Sequence, residues 1–241
     1  YNMEAGILRA MGDSRRPVLS LIAACLTNIV MDVVLVVVFG MGVLGVALAT
    51  VFSQIVSAGI LLVVLLREKE NPLELSRLGI QPKLLRRILA IGVPAGLQLV
   101  MFDLSNTLIQ SGINSFGSTV MASWTAYTKT DALTWMVSGA FGVAITTFVG
   151  QNLGARDLER AKAGPRYGML MGMALMLLII VPLMIVAPQL TELFNAETEV
   201  VAFGTLFIRL CSPFYVAFAV NQVYSGALRG AGDTRPTMFI M

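Results

Sequence analysis

Ionisable side chains are scarce in the long apolar stretches of this sequence. Asp32 is the most isolated of them. It is the only charged residue between positions 18 and 66. A charge in such surroundings is costly unless it is paired or hydrated, so it is expected to have a function. Asn28 lies four residues earlier and hence on the same helical face. A carboxylate and an amide carbonyl are hard oxygen ligands that can converge on a cation. The alternative is that Asp32 only hydrogen-bonds a neighbouring helix.

A second carboxylate, Asp103, begins a stripe of polar residues. Asn106, Thr107, Gln110 and Asn114 follow it at helical spacing, and the remaining positions are mainly apolar. A helix with one polar stripe and an apolar remainder is expected to turn that stripe toward water or another polar surface. The pattern predicts that Asp103, Asn106 and Gln110 face a water-filled cleft. A polar contact between helices is the alternative.

Lys129 and Asp131 form a third group of charges within an apolar stretch. Residues two apart do not face each other on a helix, so these two are poor partners. We expect both to line the cleft. Lys129 is predicted to pair across it with Asp103 or Asp32, and to be displaced when a cation binds.

The composition is that of a membrane protein and excludes several kinds of function. Of the 241 residues, 56% are hydrophobic and 13% are charged, whereas soluble domains have about 25% charged residues. The sequence has no histidine and its two cysteines lie far apart in apolar runs. We find no catalytic motif and no basic arm for nucleic acid, so neither an enzyme nor a nucleic-acid partner is predicted. No cofactor is expected.

The apolar stretches are long enough to cross a bilayer as helices. Positions 18–66 divide into two spans at Gly40, Gly42 and Gly45. Four further spans are predicted at about 88–112, 120–149, 167–189 and 200–228, with the end of another helix at 1–11 and the start of one at 237–241. The polar segment 67–87 between them is predicted to be a linker, either with an amphipathic surface helix or as a plain solvated connection.

Basic residues alternate between the two sides of these predicted spans. Fifteen of the seventeen lysines and arginines lie in alternate loops, near 9–16, 67–87, 156–166 and 229–235. Because short cytoplasmic loops collect Lys and Arg, these loops are predicted to be cytoplasmic in a multi-pass plasma membrane protein, expected in a prokaryotic inner membrane.

An internal repeat indicates how the spans are organised. GILRAMGDSRRP at 6–17 recurs as GALRGAGDTRP at 226–236, at an offset of 220 residues. The two copies lie on the same side of the membrane, which requires an even number of crossings between them. Six crossings per repeat predict parallel six-helix repeats, a known plan for transporters. The offset also predicts that this chain is a fragment, whose matching first part lies upstream of Tyr1.

Several motifs together resemble those of the multidrug and toxic compound extrusion (MATE) transporters. They are LRAMGDSRRP (8–17), NIVMD (28–32), GVLGVALATVFSQ (42–54), IGVPAGLQ (91–98), VGQNLGARD (149–157) and LRGAGDTRP (228–236). The resemblance implies an all-α membrane protein of twelve helices in two six-helix lobes separated by a cleft. This chain then comprises the end of helix 4 with helices 5 and 6 (1–66), a cytoplasmic lobe linker (67–87), and helices 7 to 10 with the start of helix 11 (88–241).

The resemblance also implies a function and residue roles. The family exports drugs or organic cations in exchange for Na⁺ or H⁺ by alternating access. A cation site, with Na⁺ possible, is implied at Asn28, Asp32 and Thr50, with Asn2 nearby and a further aspartate in the missing first helix. Asp103 matches a position where some members carry a coupling Glu. Thr50 as an ordinary packing residue remains the alternative to a ligand role.

Small-molecule substrates and membrane lipids are the expected partners, and a monomer is expected. The alternative function is a lipid-linked oligosaccharide flippase of the same broad superfamily. A flippase would need several bases for pyrophosphate in its cleft, and the spans contain only Lys129 and Arg209.

Overall fold

The computed structural model of this chain describes residues 1–68, 73 and 79–240, without the side chains of 238–240. All regular elements within that part are helices. Five helices are long and apolar enough to cross a membrane, and a bent pair adds up to one more. The prediction of an all-α membrane protein is therefore confirmed.

The chain divides into two compact units, Tyr1–Ile80 and Gln81–Met241. The first contains α1 (Asn2–Ala10), α2 (Arg15–Asp32), a π-helical segment (Val33–Val38) and α3 (Gly42–Leu66). The second contains α4 (Pro82–Asn114), α5 (Ser118–Gly154), α6 (Leu158–Ile185), α7 (Ala187–Glu192), α8 (Thr198–Cys211), α9 (Phe214–Gly230) and α10 (Arg235–Ile240).

The division between the units falls within the predicted linker, 67–87. Its last six residues belong to α4, which begins at Pro82. Proline suits the first helical position because its missing N–H has no helical partner there. The predicted surface helix of this segment lies largely outside the described residues, at 69–72 and 74–78.

In the first unit, α2 and α3 run antiparallel and pack through small side chains. The buried face of α3 repeats every four residues, and the Ser20 hydroxyl on α2 donates to the Ser57 carbonyl oxygen of α3 at 2.9 Å. Small residues let apolar helices approach closely, and an inter-helix hydrogen bond fixes their register. The residues on that face of α3 are Gly45, Ala49, Ser53, Ser57, Leu61 and Leu65.

The second unit is built around α5, which contacts α4, α6, α7, α8 and α9. Its contact with α9 is the closest, because two glycines meet there. A Cβ atom at Gly226 would overlap the Gly142 carbonyl group. The Thr146 hydroxyl donates to the Gly226 carbonyl oxygen at 3.0 Å, so the two helices are also hydrogen-bonded.

The last predicted span, 200–228, is broken rather than continuous. Helix α8 ends at Cys211, α9 begins at Phe214, and their axes differ by 47°. Pro213 lies at the break. Because proline has no backbone N–H, the helical hydrogen-bond ladder cannot pass through this position.

The repeated GD motif forms the same turn at both of its positions. Helices α1 and α9 end at Ala10 and Gly230, and the next helices begin at Arg15 and Arg235, again 220 residues apart. In each turn the aspartate N–H bonds the carbonyl five residues earlier, at 2.9 Å in one copy and 3.0 Å in the other. The preceding glycine N–H bonds the carbonyl three residues earlier. This is the Schellman pattern of helix termination.

A third copy of the turn joins α5 to α6, and the sequence comparison missed it. Asp157 N–H bonds the Asn152 carbonyl oxygen at 2.9 Å, and Arg156 N–H bonds that of Leu153 at 3.0 Å. Arg156 occupies the position of the two glycines, with a φ of 62°. A left-handed backbone is unfavourable for a residue with a side chain. The Asp157 carboxylate then caps α6 by accepting the Arg160 N–H at 3.0 Å.

We expect Arg156→Gly to stabilise the protein. Glycine adopts a positive φ without steric cost, so the free energy of unfolding should rise by about 1 kcal/mol. Thermal unfolding of the full-length protein in detergent measures the change. The matched variants Gly12→Ala and Gly232→Ala, at φ of 92° and 83°, should lower the midpoint. A lower midpoint for Arg156→Gly would contradict this account of the turn.

Gly226→Ala should destabilise the α5–α9 contact. The added methyl group meets backbone atoms of α5, which cannot rotate away, and overpacking of this kind costs about 1–3 kcal/mol. Gly139→Ala is the control, because a Cβ atom there has no neighbour within 4 Å. Thermal unfolding should show a lowered midpoint for Gly226→Ala alone, and equal midpoints would refute the close approach.

Candidate functional site

Asn28 and Asp32 continue the face of α2 that packs against α3. Ser20 and Ala24 are buried on this face, and Asn28 and Asp32 follow at the same four-residue spacing. The Ser20–Ser57 hydrogen bond fixes how far the two helices are shifted along their axes relative to each other. Asn28 is eight residues beyond Ser20, or about 12 Å along the axis at 1.5 Å per residue. Because α3 runs in the opposite direction, Ala49 and Thr50 lie at about that level.

Two atoms of this pair are buried without a partner. Asp32 Oδ1 and Asn28 Nδ2 are inaccessible to solvent and have no hydrogen-bond partner in the described part of the chain. A buried polar atom left unsatisfied costs stability. Rotation of the Asn28 amide exchanges its nitrogen and oxygen, so that a carbonyl oxygen can occupy the buried position. The pair can thus present two oxygens to a proton or a small cation.

Thr50, the third predicted ligand, is on α3 and exposed. Its hydroxyl donates to the Val46 carbonyl oxygen of the same helix at 2.9 Å, which leaves the hydroxyl oxygen free to accept or to coordinate. Among the described residues, no three Asp, Glu or Cys side chains gather closely enough to hold a metal ion. A cation at Asp32 would therefore need amide, hydroxyl or carbonyl oxygens as its other ligands.

The backbone changes its hydrogen-bond pattern directly after Asp32. The π-helical segment begins at Val33, and Phe39 N–H bonds the Val34 carbonyl oxygen at 3.1 Å, five residues back. Such segments are rare and are often found at functional sites. Asp32 is thus the last residue of regular α-helix in its span.

In the second unit, the predicted polar stripe of α4 is exposed. Asp103, Asn106 and Gln110 are all exposed, and Gln110 Nε2 donates to Asn114 Oδ1 at 2.8 Å. Of these three, Asn106 alone lines a large cavity of the second unit.

A cavity of about 820 Å³ lies among α4, α5 and α9. Five of its eleven lining residues are aromatic, Asp131 is its one carboxylate, and none of the lining residues is basic. Trp135 lies between the rings of Phe102, with centroids 4.8 Å apart, and Phe218, at 4.4 Å. Trp124, Tyr127, Thr128 and Tyr215 also line the cavity, whereas Phe218 does not.

A hydrogen bond orients the Asp131 carboxylate in this cavity. The Thr134 hydroxyl donates to Oδ1 at 3.0 Å. Tyr215 and Trp135 line the same cavity, and the hydroxyls of Tyr215 and Tyr127 are 2.6 Å apart. The bend before α9 brings Tyr215 to this position. An acid held beside several aromatic faces is suited to bind an organic cation.

Two predicted cleft residues lie elsewhere in their units. Lys129 is exposed, is absent from the cavity lining, and forms no ion pair with Asp103 within residues 79–240. Asn2, on α1 of the first unit, is exposed as well. Lys129 is two residues from Asp131 and so points away from the cavity.

The aromatic residues of the cavity were missed by the sequence analysis. On α5 the aromatic residues Trp124, Tyr127 and Trp135 share one face with Thr128 and Asp131, because all five follow the 3.6-residue period. That periodicity was available in the sequence. Tyr215 was not predictable in the same way, because it reaches the cavity only through the bend between α8 and α9.

Several named proteins are similar in sequence to this chain over most of its length. A probable multidrug resistance protein of Bacillus subtilis, YpnP, is 32% identical over 234 residues, which are 96% of this chain and 52% of that protein. A probable multidrug resistance protein NorM of Thermotoga maritima is 26% identical, over 98% of this chain and 52% of that protein. An FAD transporter of Shewanella oneidensis is 26% identical, over 92% of this chain and 50% of that protein. The chain spans about half the length of these relatives.

Solved structures share the fold. An outward-facing multidrug resistance MATE family transporter of the MOP superfamily matches with a TM-score of 0.91 at 24% identity, over 99% of this chain and 54% of that one. A MOP superfamily transporter from Pyrococcus furiosus matches with a TM-score of 0.90, also at 24% identity and over the same shares of the two chains.

A sequence model of the MatE family matches residues 94–241, which is more than half of the chain. Together with the relative YpnP, this match shows that the chain belongs to the MatE family.

Proposed function

We propose that the protein to which this chain belongs is a secondary active antiporter, which exports drugs or organic cations in exchange for Na⁺ or H⁺. The observation that carries the proposal is the buried Oδ1 of Asp32 beside Asn28, which has no hydrogen-bond partner among the described residues. The names of the relatives support drugs as the class of transported substrate. The protein acts in the plasma membrane, as a monomer and without a cofactor.

Asp32 couples the ion to the conformational change. An ion can shift a two-state equilibrium only by as much as it binds one state more tightly than the other. A carboxylate oxygen without a hydrogen-bond partner gains much from a proton or Na⁺, and this gain is available only in the conformation that admits the ion. Asn28 and Thr50 supply further oxygens when the ion is Na⁺.

The acidic, aromatic cavity of the second unit binds the substrate. Asp131 neutralises a positive charge, and the faces of Trp124, Trp135 and Phe102 attract a planar cation in a poorly hydrated site. A cavity lined by aromatic rings selects its ligands by charge and shape more than by hydrogen bonds. It therefore accepts several different organic cations. A flippase for pyrophosphate-linked lipids would need bases where this cavity has a carboxylate.

Asp32→Asn should abolish coupled export. The amide cannot take up a proton and is a weaker ligand for Na⁺, so efflux driven by a gradient should fall at least about tenfold. Full-length protein in proteoliposomes, under imposed Na⁺ or pH gradients, provides the measurement. The control is Glu192→Gln, a neutralised carboxylate at the exposed end of α7. Undiminished efflux with Asp32→Asn under both gradients would reject the coupling role.

Asp131→Asn should weaken the binding of a fluorescent aromatic cation such as ethidium. Loss of the charge should raise its dissociation constant by about tenfold or more, since a hydrogen bond or ion pair to a charged group contributes this much. Glu192→Gln, which neutralises an exposed carboxylate outside the cavity lining, is the control and should leave binding unchanged. Fluorescence titration of the full-length protein in detergent tests both variants, and equal affinities would move the substrate site away from this cavity.

A further inference from the structure

The second unit has another cavity, of about 470 Å³, which forms a groove between α5 and α6. One wall carries Phe141, Ile145 and Phe148 from α5, which follow helical spacing. The other wall belongs to α6 and contains the only charged residue of the lining, Arg160, at the start of that helix. The groove is therefore apolar along its length and cationic at one end.

The shape of the groove follows from glycines on α6. Gly164 and Gly168 have no side chain where Phe148 and Ile145 of α5 approach, and a Cβ atom at either glycine would overlap those side chains. The two helices consequently lie close together, and the space beside the glycines stays open.

The guanidinium of Arg160 is held at the mouth of the groove but is not neutralised. It lies 5.7 Å from the centre of the Phe148 ring and forms no ion pair with any described residue. The nearby Asp157 carboxylate accepts the backbone N–H of Arg160. Lys162, two residues away, differs because its ammonium group is 3.5 Å from Glu159.

The groove runs from the basic end of α6 into its apolar span. From Arg160 to Met171, the last lining residue of α6, the helix rises about 16 Å at 1.5 Å per residue. The predicted apolar span begins at 167, so Arg160 lies about 10 Å before it, on the headgroup side, and Met171 lies about 6 Å inside it. The groove therefore offers a base to a headgroup and an apolar wall to the first part of an acyl chain.

We propose that this groove binds an anionic glycerophospholipid. The phosphate accepts hydrogen bonds from the guanidinium of Arg160, whose planar donors match phosphate oxygens. One acyl chain lies along the apolar wall toward Met171. A soluble anion would use the base but leave the apolar length uncovered, and a zwitterionic lipid would bring a second positive charge to Arg160. Basic pockets between membrane helices are a recognised form of lipid site. The inference is independent of what the protein transports.

Native mass spectrometry of the full-length protein tests the proposal. The purified protein is titrated with phosphatidylglycerol or phosphatidylcholine of identical acyl chains, and the bound lipid is counted. We expect phosphatidylglycerol to bind more tightly. Arg160→Gln should weaken its binding by about tenfold, whereas Lys162→Gln, which removes a paired charge from the same turn, should not.

A second pair of variants tests the acyl-chain path. Ala144→Phe places a ring in the groove at an exposed position of its lining, and it should reduce phosphatidylglycerol binding while leaving Arg160 intact. Ala202→Phe, at an exposed position on α8, is the control for added bulk. Equal binding of the two lipids, or full binding by both Arg160→Gln and Ala144→Phe, would overturn the proposal. So would the absence of bound lipid from the unsubstituted protein.

Discussion

Close approach of helix backbones is the constraint on which both units depend. Apolar side chains gain little by leaving lipid for another helix, so helices in a membrane associate through tight packing and short polar contacts. In the first unit, a face of small residues on α3 and the Ser20–Ser57 hydrogen bond hold α2 in place. In the second, Gly226 meets Gly142, and Thr146 bonds across the same contact. The ionisable residues project from the helices that these contacts fix.

Most hydroxyl groups in the spans are satisfied locally, and this makes the exceptions informative. Thr27, Thr50, Ser105 and Thr130 all donate to the carbonyl four residues earlier on their own helix. Such bonds remove the cost of a polar group in hydrocarbon without any partner helix. The buried Oδ1 of Asp32 has no equivalent solution within the described chain. The Asp131 carboxylate instead accepts a hydrogen bond from the Thr134 hydroxyl. The first arrangement favours uptake of an ion, and the second a fixed charge for recognition.

The sequence predicted the elements well because hydropathy, breakers and basic loops are local signals. The spans and the placement of Asn28 and Asp32 on one face of α2 follow from short-range spacing, and the repeat follows from the match between two short motifs 220 residues apart. The third turn was not predicted, because Arg156 carries the positive φ that glycine marks at the other two. The cavity of Asp131 was not predicted either, since it depends on the bend at Pro213 and on pairs such as Tyr127 and Tyr215, 88 residues apart. Local periodicity cannot indicate such contacts.

Helix α5 separates two kinds of binding surface along its length. The cavity residues on α5 run from Trp124 to Met136, and the groove residues from Phe141 to Phe148, close to the turn that carries Arg156 and Arg160. At 1.5 Å per residue, the middles of these stretches are about 22 Å apart. Since electrostatic potential falls with distance, an acidic cavity placed far from the basic end keeps its attraction for cations, while the basic end keeps its attraction for phosphate. The proposed cation site and the proposed lipid site therefore lie at different levels of one helix.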